Sequence, residues 1–394
     1  HLKKLRAEIQ NKTGKSAEQL YQERQKRLWD AIEMKEPDRV PVILGGNYFA
    51  AKYCGLPYSS VYYDPIGWKA AYARMVADYG PDNCTSGGAQ SGAVLDLLQA
   101  KNALWPGGTL PPDRTNQTIE GEYMKEDEYD LFLDDTTDFV VRRYLPRIYG
   151  ALAPLANLPS MGSGGGGIQA VAALTTNPEF QEVGKVLQKV GLEQAKLRQA
   201  MGNFNQDLAS LGFPAMSEGG EGGPGGGVGG PAFDHIANTY RGWKGIVTDM
   251  YRRPDKLIAA MEKVNKGQLA RGVPADRTRK GPQVMGSGPI HRGSDRFMSK
   301  KQWETFYWPT WKKCLQRIID LGYIVSIFTE GFVEDRFEYF LEFPKGSLLL
   351  RFTDTDMFKA KAVLGNKFPI MGNVPSTLLQ IASPSEVDEY CKKL

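Results

Sequence analysis

The chain is poor in histidine and cysteine for its length. Of its 394 residues only three are histidines, His1, His235 and His291, so a site that needs three internal imidazoles is excluded. The four cysteines, Cys54, Cys84, Cys314 and Cys391, lie far apart without a C-x-x-C pair, and no disulfide framework is legible. No uncharged apolar run approaches the roughly 18 residues needed to span a bilayer, and no N-terminal apolar segment resembles a signal peptide. A reducing, cytoplasmic setting is expected. An excess of one charge is missing too: 49 basic and 45 acidic side chains are interspersed, for a formal net charge of +4. That balance argues against nucleic acid and against an acidic membrane surface, and favours a small molecule or another protein as partner.

What is present reads as a helical arm followed by an α/β domain. Residues 3–34 place Leu5, Ile9, Leu20, Leu28 and Ile32 among Lys, Arg and Glu, which predicts an amphipathic helical arm over 1–36 and a main domain over 37–394. "PDRVPVILGG" breaks the helix at Pro37 and supplies a strand from Val40 to Leu44 that opens onto Gly45, Gly46, Asn47 and Tyr48. A helix, "GWKAAYARMVADYG", and a strand around Asn83 to Thr85 follow. Residues 100–135 read as loop. Residues 137–230 read as an insertion, mostly helical to 205 and interrupted by "MGSGGGGIQ", with "SEGGEGGPGGGVGG" over 217–230 as a lid or a plain solvent loop. Neither glycine block gives the P-loop G-x-x-x-x-G-K-[ST], nor a G-x-G-x-x-G between strand and helix with an acid suitably downstream.

Beyond 230 the pattern becomes regular. "PQVMGSG", "YIVSIFTEG", "SLLLRFTDTD" and "FPIMGNVP" read as strands, separated by helical text such as "KKQWETFYWPTWKKCLQRIIDLG", in which Pro309 predicts a kink and Trp303 to Trp311 a core stripe. Such alternation implies a parallel sheet covered by helices, either open or closed into a barrel, with function at the carboxyl ends of the strands. Those ends carry His291 with Asp295, Glu330, Asp354 with Asp356, and Met371–Gly372–Asn373. A carboxylate and an imidazole on one rim suit general acid–base or metal chemistry. The plainer readings are that Glu330 caps a helix starting near Val333, and that one of Asp354 and Asp356 is an N-cap.

The ordered set "RLWDAIEMKEPDRVPV", "FDHIANTYRGWKGIVTDMYRRPDKL", "FTEG", "KAVLGNKFPIMGNVPSTLL" and "SPSEVDEYCKKL" resembles the uroporphyrinogen decarboxylase superfamily. The likeness runs from about residue 25 to the end and is poor over 140–230. It implies a (β/α)8 TIM barrel with its site at the carboxyl rim, and a final strand and helix beyond Leu394. The decarboxylases of that family carry an arginine-rich segment after the first strand. Here "ILGGNYFAAKYCG" has Lys52 as its single cation, so a polycarboxylate substrate lacks its bidentate partners.

The other branch of the family comprises methyltransferases that exchange a methyl group with the cobalt of a corrinoid on a separate protein. Its H-x-C-G zinc motif is replaced here by Phe328–Thr329–Glu330–Gly331, and Met371 stands in the place of its later cysteine. The resemblance therefore implies a cobalamin-dependent methyltransferase subunit without the thiol-activating zinc site. Glu330 is its central acid, His291 and Asp354 are companions, and Asn47, Tyr48, Phe328, Arg351, Met371 and Asn373 bind substrate. A Zn2+ held by Glu330 and His291 is the alternative use of the same pair. Phe49 with Tyr48, Phe328 and Met371 suits a hydrophobic methyl donor. The corrinoid-carrying motif D-x-H-x-x-G is absent, so a corrinoid-binding partner protein is expected. Two further readings stay open: a carboxy-lyase that binds a smaller acid through Arg292 and Arg351, and a non-catalytic ligand-binding barrel.

Overall fold

A computed structural model of the chain describes residues 1–85, 89–159, 167–214, 229–271 and 280–394. The fold is mixed α/β and rich in helix. Its strands among the described residues are short: β1 (Ile43–Gly45), β2 (Asn83–Thr85), β3 (Ala103–Leu104), β4 (Gln117–Thr118), β5 (Val284–Gly286), β6 (Ile324–Thr329), β7 (Leu348–Phe352) and β8 (Ile370–Met371). The chain folds as two compact units, one of residues 1–26 and 41–215, the other of 27–40 and 216–394. The expected arm is thus shared out between them.

In the first unit β1 and β2 pair in parallel, Ile43 opposite Asn83. The connecting helix Pro65–Tyr79 starts where Asp64 accepts a hydrogen bond from the Gly67 N–H and stops at Gly80, whose left-handed φ of 62° ends it. Its buried face, Trp68, Tyr72, Met75 and Val76, packs in one core with Leu5, Ile9, Phe204 and Phe213. β1 begins later than the sequence suggests, because Val40 and Val42 remain 80% and 56% exposed. The segment expected to be loop contains the helix Tyr129–Asp134, anchored by buried Tyr129 and Phe132. The insertion supplies the helices Gly167–Thr176 and Pro178–Met201.

The second unit is built on a four-stranded parallel sheet in the order β5-β6-β7-β8. Val325, Ile327 and Thr329 of β6 and Leu348, Leu350 and Phe352 of β7 are all buried on one face. The other face holds a row across the strands, with Phe328 opposite Arg351 and Arg351 opposite Met371. The Arg351 guanidinium lies 5.2 Å from the Phe328 ring centroid, a cation–π contact. β8 ends at Gly372, where φ is +126° and an added Cβ would sit 2.3 Å from the Phe352 carbonyl oxygen. Only glycine fits there.

Helical residues run without a break from Lys300 to Asp320 and include a π-helical turn, Trp303–Tyr307, just before Pro309. The aromatic stripe forms a stack: Trp303 lies face to face with Tyr307 at 4.6 Å and with Trp308 at 5.6 Å. "FVEDRFEYFLEF" yields only a 3-10 turn, Glu334–Arg336, and a short helix, Phe337–Phe340. Of the glycine-rich 217–230 stretch, residues 217–228 lie outside the described residues, as do 161–166 of the first block. No described helix is long and apolar enough to cross a membrane.

Candidate active site

The site sits at the carboxyl end of β6, within the second unit. After β5 the chain returns to the sheet at Ile290, whose N–H donates to the Phe328 carbonyl (2.8 Å) and whose carbonyl accepts from the Glu330 N–H (2.9 Å). This single bridge between Ile290 and Thr329 lays the loop carrying His291 against the end of β6. Glu330 is thereby set opposite His291, with Oε2 3.9 Å from Nε2 and both side chains nearly half exposed. The gap exceeds a hydrogen bond. It is wide enough for one oxygen at hydrogen-bonding distance from each atom. Gly331, with φ +93°, turns the chain away immediately after Glu330.

Behind the pair lies a buried carboxylate that sequence reasoning missed. Asp234, on the helix Ala232–Ile236, is 5% exposed. Its Oδ2 accepts from the His291 backbone N–H (2.9 Å) and the Tyr307 hydroxyl (2.6 Å), and its Oδ1 from the Arg292 N–H (3.0 Å). Burial pushes the Asp234 carboxyl above its ordinary range, against the pull of these three donors and of the His291 ring. Tyr307 is raised well above the usual phenol value, first by burial and then by the Asp234 charge. Glu330 is also raised, by burial first and further by the charge of Asp234, with His291 acting in the opposite sense. A carboxyl so placed holds its proton at higher pH than a free glutamate and can donate it.

Asp356 is the N-cap of the helix Met357–Leu364, accepting from the Phe358 and Lys359 N–H groups, which leaves Asp354 as the non-capping member of that pair. Asp354 is exposed and lies 2.8 Å from the Thr353 hydroxyl; the structure does not bring it into the His291–Glu330 pair. Glu330 caps no helix, since the turn after it starts at Val333 without a side-chain cap.

Asn373 is buried as a tie between strand ends. Its Nδ2 donates to the Thr353 and Thr355 carbonyls, and its Oδ1 accepts from the Tyr390 hydroxyl. Phe328, Arg351 and Met371 form the row already described, on the strands that end beside Glu330. Arg292 is buried and donates from Nε to Asn238 Oδ1 at 3.0 Å. In the first unit, the Tyr48 hydroxyl donates to Asn116 Oδ1 (2.8 Å), and the Asn47 carbonyl accepts from Trp68 Nε1. Phe49 packs against Tyr53 and Tyr79 with the rings tilted.

The donor set does not suit zinc. Glu330 and His291 supply two ligands where catalytic zinc takes three from the protein, and the oxygens of Asp234 are already engaged. Among the described residues no group of three or more His, Cys, Asp or Glu is arranged to hold a metal ion. No family model matches this chain, and neither a curated protein nor a solved structure matches it significantly.

Proposed function

We propose that the chain is a methyltransferase subunit that takes a methyl group from a small, hydrophobic methyl ether and passes it to a corrinoid carried on a partner protein, with Glu330 as the general acid. The observation that supports this reading is the half-exposed Glu330 carboxyl at the end of β6, its proton affinity raised by burial and by Asp234, facing His291 across 3.9 Å. The reading extends to the fold: the parallel strands are proposed to belong to a (β/α)8 barrel whose carboxyl rim carries the site.

When the methyl carbon is attacked, its bond to oxygen breaks and the electron pair of that bond stays on oxygen. An alkoxide or phenoxide leaves poorly unaided, and Glu330 delivers its proton to that oxygen so that a neutral alcohol or phenol departs. His291 then serves as the relay that returns a proton from solvent to Glu330. A corrinoid in the Co(I) state, presented by its carrier protein, would supply the electron pair that the methyl carbon takes up. Phe328 and Met371 give the donor an apolar seat, and Arg351 braces the Phe328 ring. No step passes through a metal held by this chain.

The test is anaerobic: the full chain, Co(I) corrinoid on its carrier protein, and a panel of methyl ethers, methylamines and methyl thioethers, with loss of the Co(I) absorbance as readout. Turnover of one ether, reduced by about 100-fold or more in Glu330→Gln, is expected from the usual size of general acid catalysis. An ether response that Glu330→Gln leaves unchanged removes Glu330 from the chemistry. No response from any donor contradicts the methyltransferase reading.

A further inference from the structure

We infer that Asp234 is a positioning residue for the His291–Glu330 pair, acting through the backbone of the loop that carries His291; the inference rests on the acid role proposed above for Glu330. A buried carboxylate is costly unless its oxygens are satisfied. Both oxygens of Asp234 accept from the loop: Oδ1 from the Arg292 N–H, and Oδ2 from the His291 N–H together with the Tyr307 hydroxyl. A structural carboxylate of this kind could sit under any loop. This one sits under the loop that bears His291, on the side away from the solvent-facing pair.

Three further features act on the same few residues. The isolated bridge at Ile290 fixes the start of the loop on β6. Asn238 holds the Arg292 side chain at 3.0 Å. Gly293 lets the loop settle on the aromatic stack, because a Cβ there would stand 2.7 Å from both Trp303 Cζ3 and Tyr307 Cζ. Asn238, which holds the Arg292 side chain, and Tyr307, which holds Asp234, are both presented by π-helical turns, Ala237–Arg241 and Trp303–Tyr307. Such turns widen a helix locally, re-aim its side chains and recur at functional sites. The charged and titratable groups that interact with Glu330 are His291 on the loop, Asp234 on the helix Ala232–Ile236 and Tyr307 on the π-turn.

The test uses the full chain with Asp234→Ala, Asp234→Asn and Tyr307→Phe, beside Glu330→Gln. Selective 15N-histidine labelling leaves few backbone amide signals in a protein with three histidines, so the His291 amide is followed directly. In Asp234→Ala its exchange with solvent is expected to accelerate by at least about tenfold, the consequence of losing a net hydrogen bond to a charged acceptor. The methyl-transfer kcat is expected to fall by about 10- to 100-fold with KM unchanged, the cost of misplacing a group by about an ångström. Asp234→Asn, which keeps one carbonyl acceptor, should fall between, and Tyr307→Phe, which spares both backbone bonds, should lose severalfold at most and keep the His291 amide protected.

Wild-type kcat in Asp234→Ala alongside an inactive Glu330→Gln overturns the inference while leaving the acid role intact. So does an unchanged His291 amide, a measurement that needs no substrate. Wild-type turnover in Glu330→Gln instead identifies failure of the acid reading itself. If Asp234→Ala does not fold, the Asn and Phe variants decide: equal kcat losses in both contradict a role carried by the backbone bonds.

Discussion

Glu330 carries a folded-state pKa above its ordinary value of 4.5, and that has a consequence for stability as well as chemistry. The fold favours the neutral carboxyl. The associated stabilisation is complete below the unfolded pKa and is lost as the pH rises through the raised folded value. Where the carboxyl ionises, the native state bears a charge that Gln would not carry, so the wild type loses stabilisation that the variant keeps. Glu330→Gln is expected to melt at a higher temperature than the wild type at pH 7, with the difference vanishing below about pH 4. Calorimetry at both pH values checks this, and a variant less stable at pH 7 contradicts it. The same shift fixes the kinetic sign: an acid must be protonated, so the rate falls as the pH rises through the Glu330 value.

Sequence reading singled out Glu330 and His291 as candidates because both follow a strand, Glu330 directly and His291 five residues beyond β5, and a strand is visible in local text. It could not find Asp234, because the ties that make it part of the site are to residues 57, 58 and 73 positions away. Tyr307 was hidden for the opposite reason. Its spacing marks it as core, which it is, stacked on Trp303, and the hydroxyl that reaches Asp234 leaves no periodic signal.

At the scale of elements, the parallel run β5 to β8 was legible from apolar runs ending in polar residues or glycine. The capping role of one aspartate, Asp356, was legible from its place before a helix. The π-turns, rare single wide turns within helical runs, were not. The helices of the second unit are secured by a buried pair that tests this packing: Arg241, 1% exposed, donates from Nε to Asp249, 0% exposed, at 2.5 Å. Arg241→Met takes two donors from the Asp249 carboxylate, leaving it Arg253 at 3.8 Å, and is expected to cost about 3–5 kcal/mol in chemical denaturation, whereas the double variant Arg241→Met with Asp249→Leu should recover most of that loss. A double variant no better than the single one contradicts the pair as the source of the cost. At the end of β8, Gly372→Ala meets both a left-handed φ and the Phe352 carbonyl, and is expected to destabilise by about 1–3 kcal/mol.

At the scale of the whole molecule, two compact units each hold a core, and no cysteine pair ties either one. Cys54 and Cys391 are exposed, while Cys84 and Cys314 are buried, and burial pushes their thiols up to about 12 and about 11. Two thiols should react with a colorimetric disulfide reagent in the native protein and four after unfolding, and reductant should leave stability unchanged. Four fast-reacting thiols in the native protein would contradict the packing of both cores.

The general acid assigned to Glu330 can be isolated from binding by a series of aryl methyl ethers graded in the acidity of the phenol they release, compared between wild type and Glu330→Gln under single turnover. If Glu330 protonates the leaving oxygen, the deficit of the variant grows steadily as the phenol becomes a poorer leaving group. A deficit that is the same for every ether, or none at all, contradicts it.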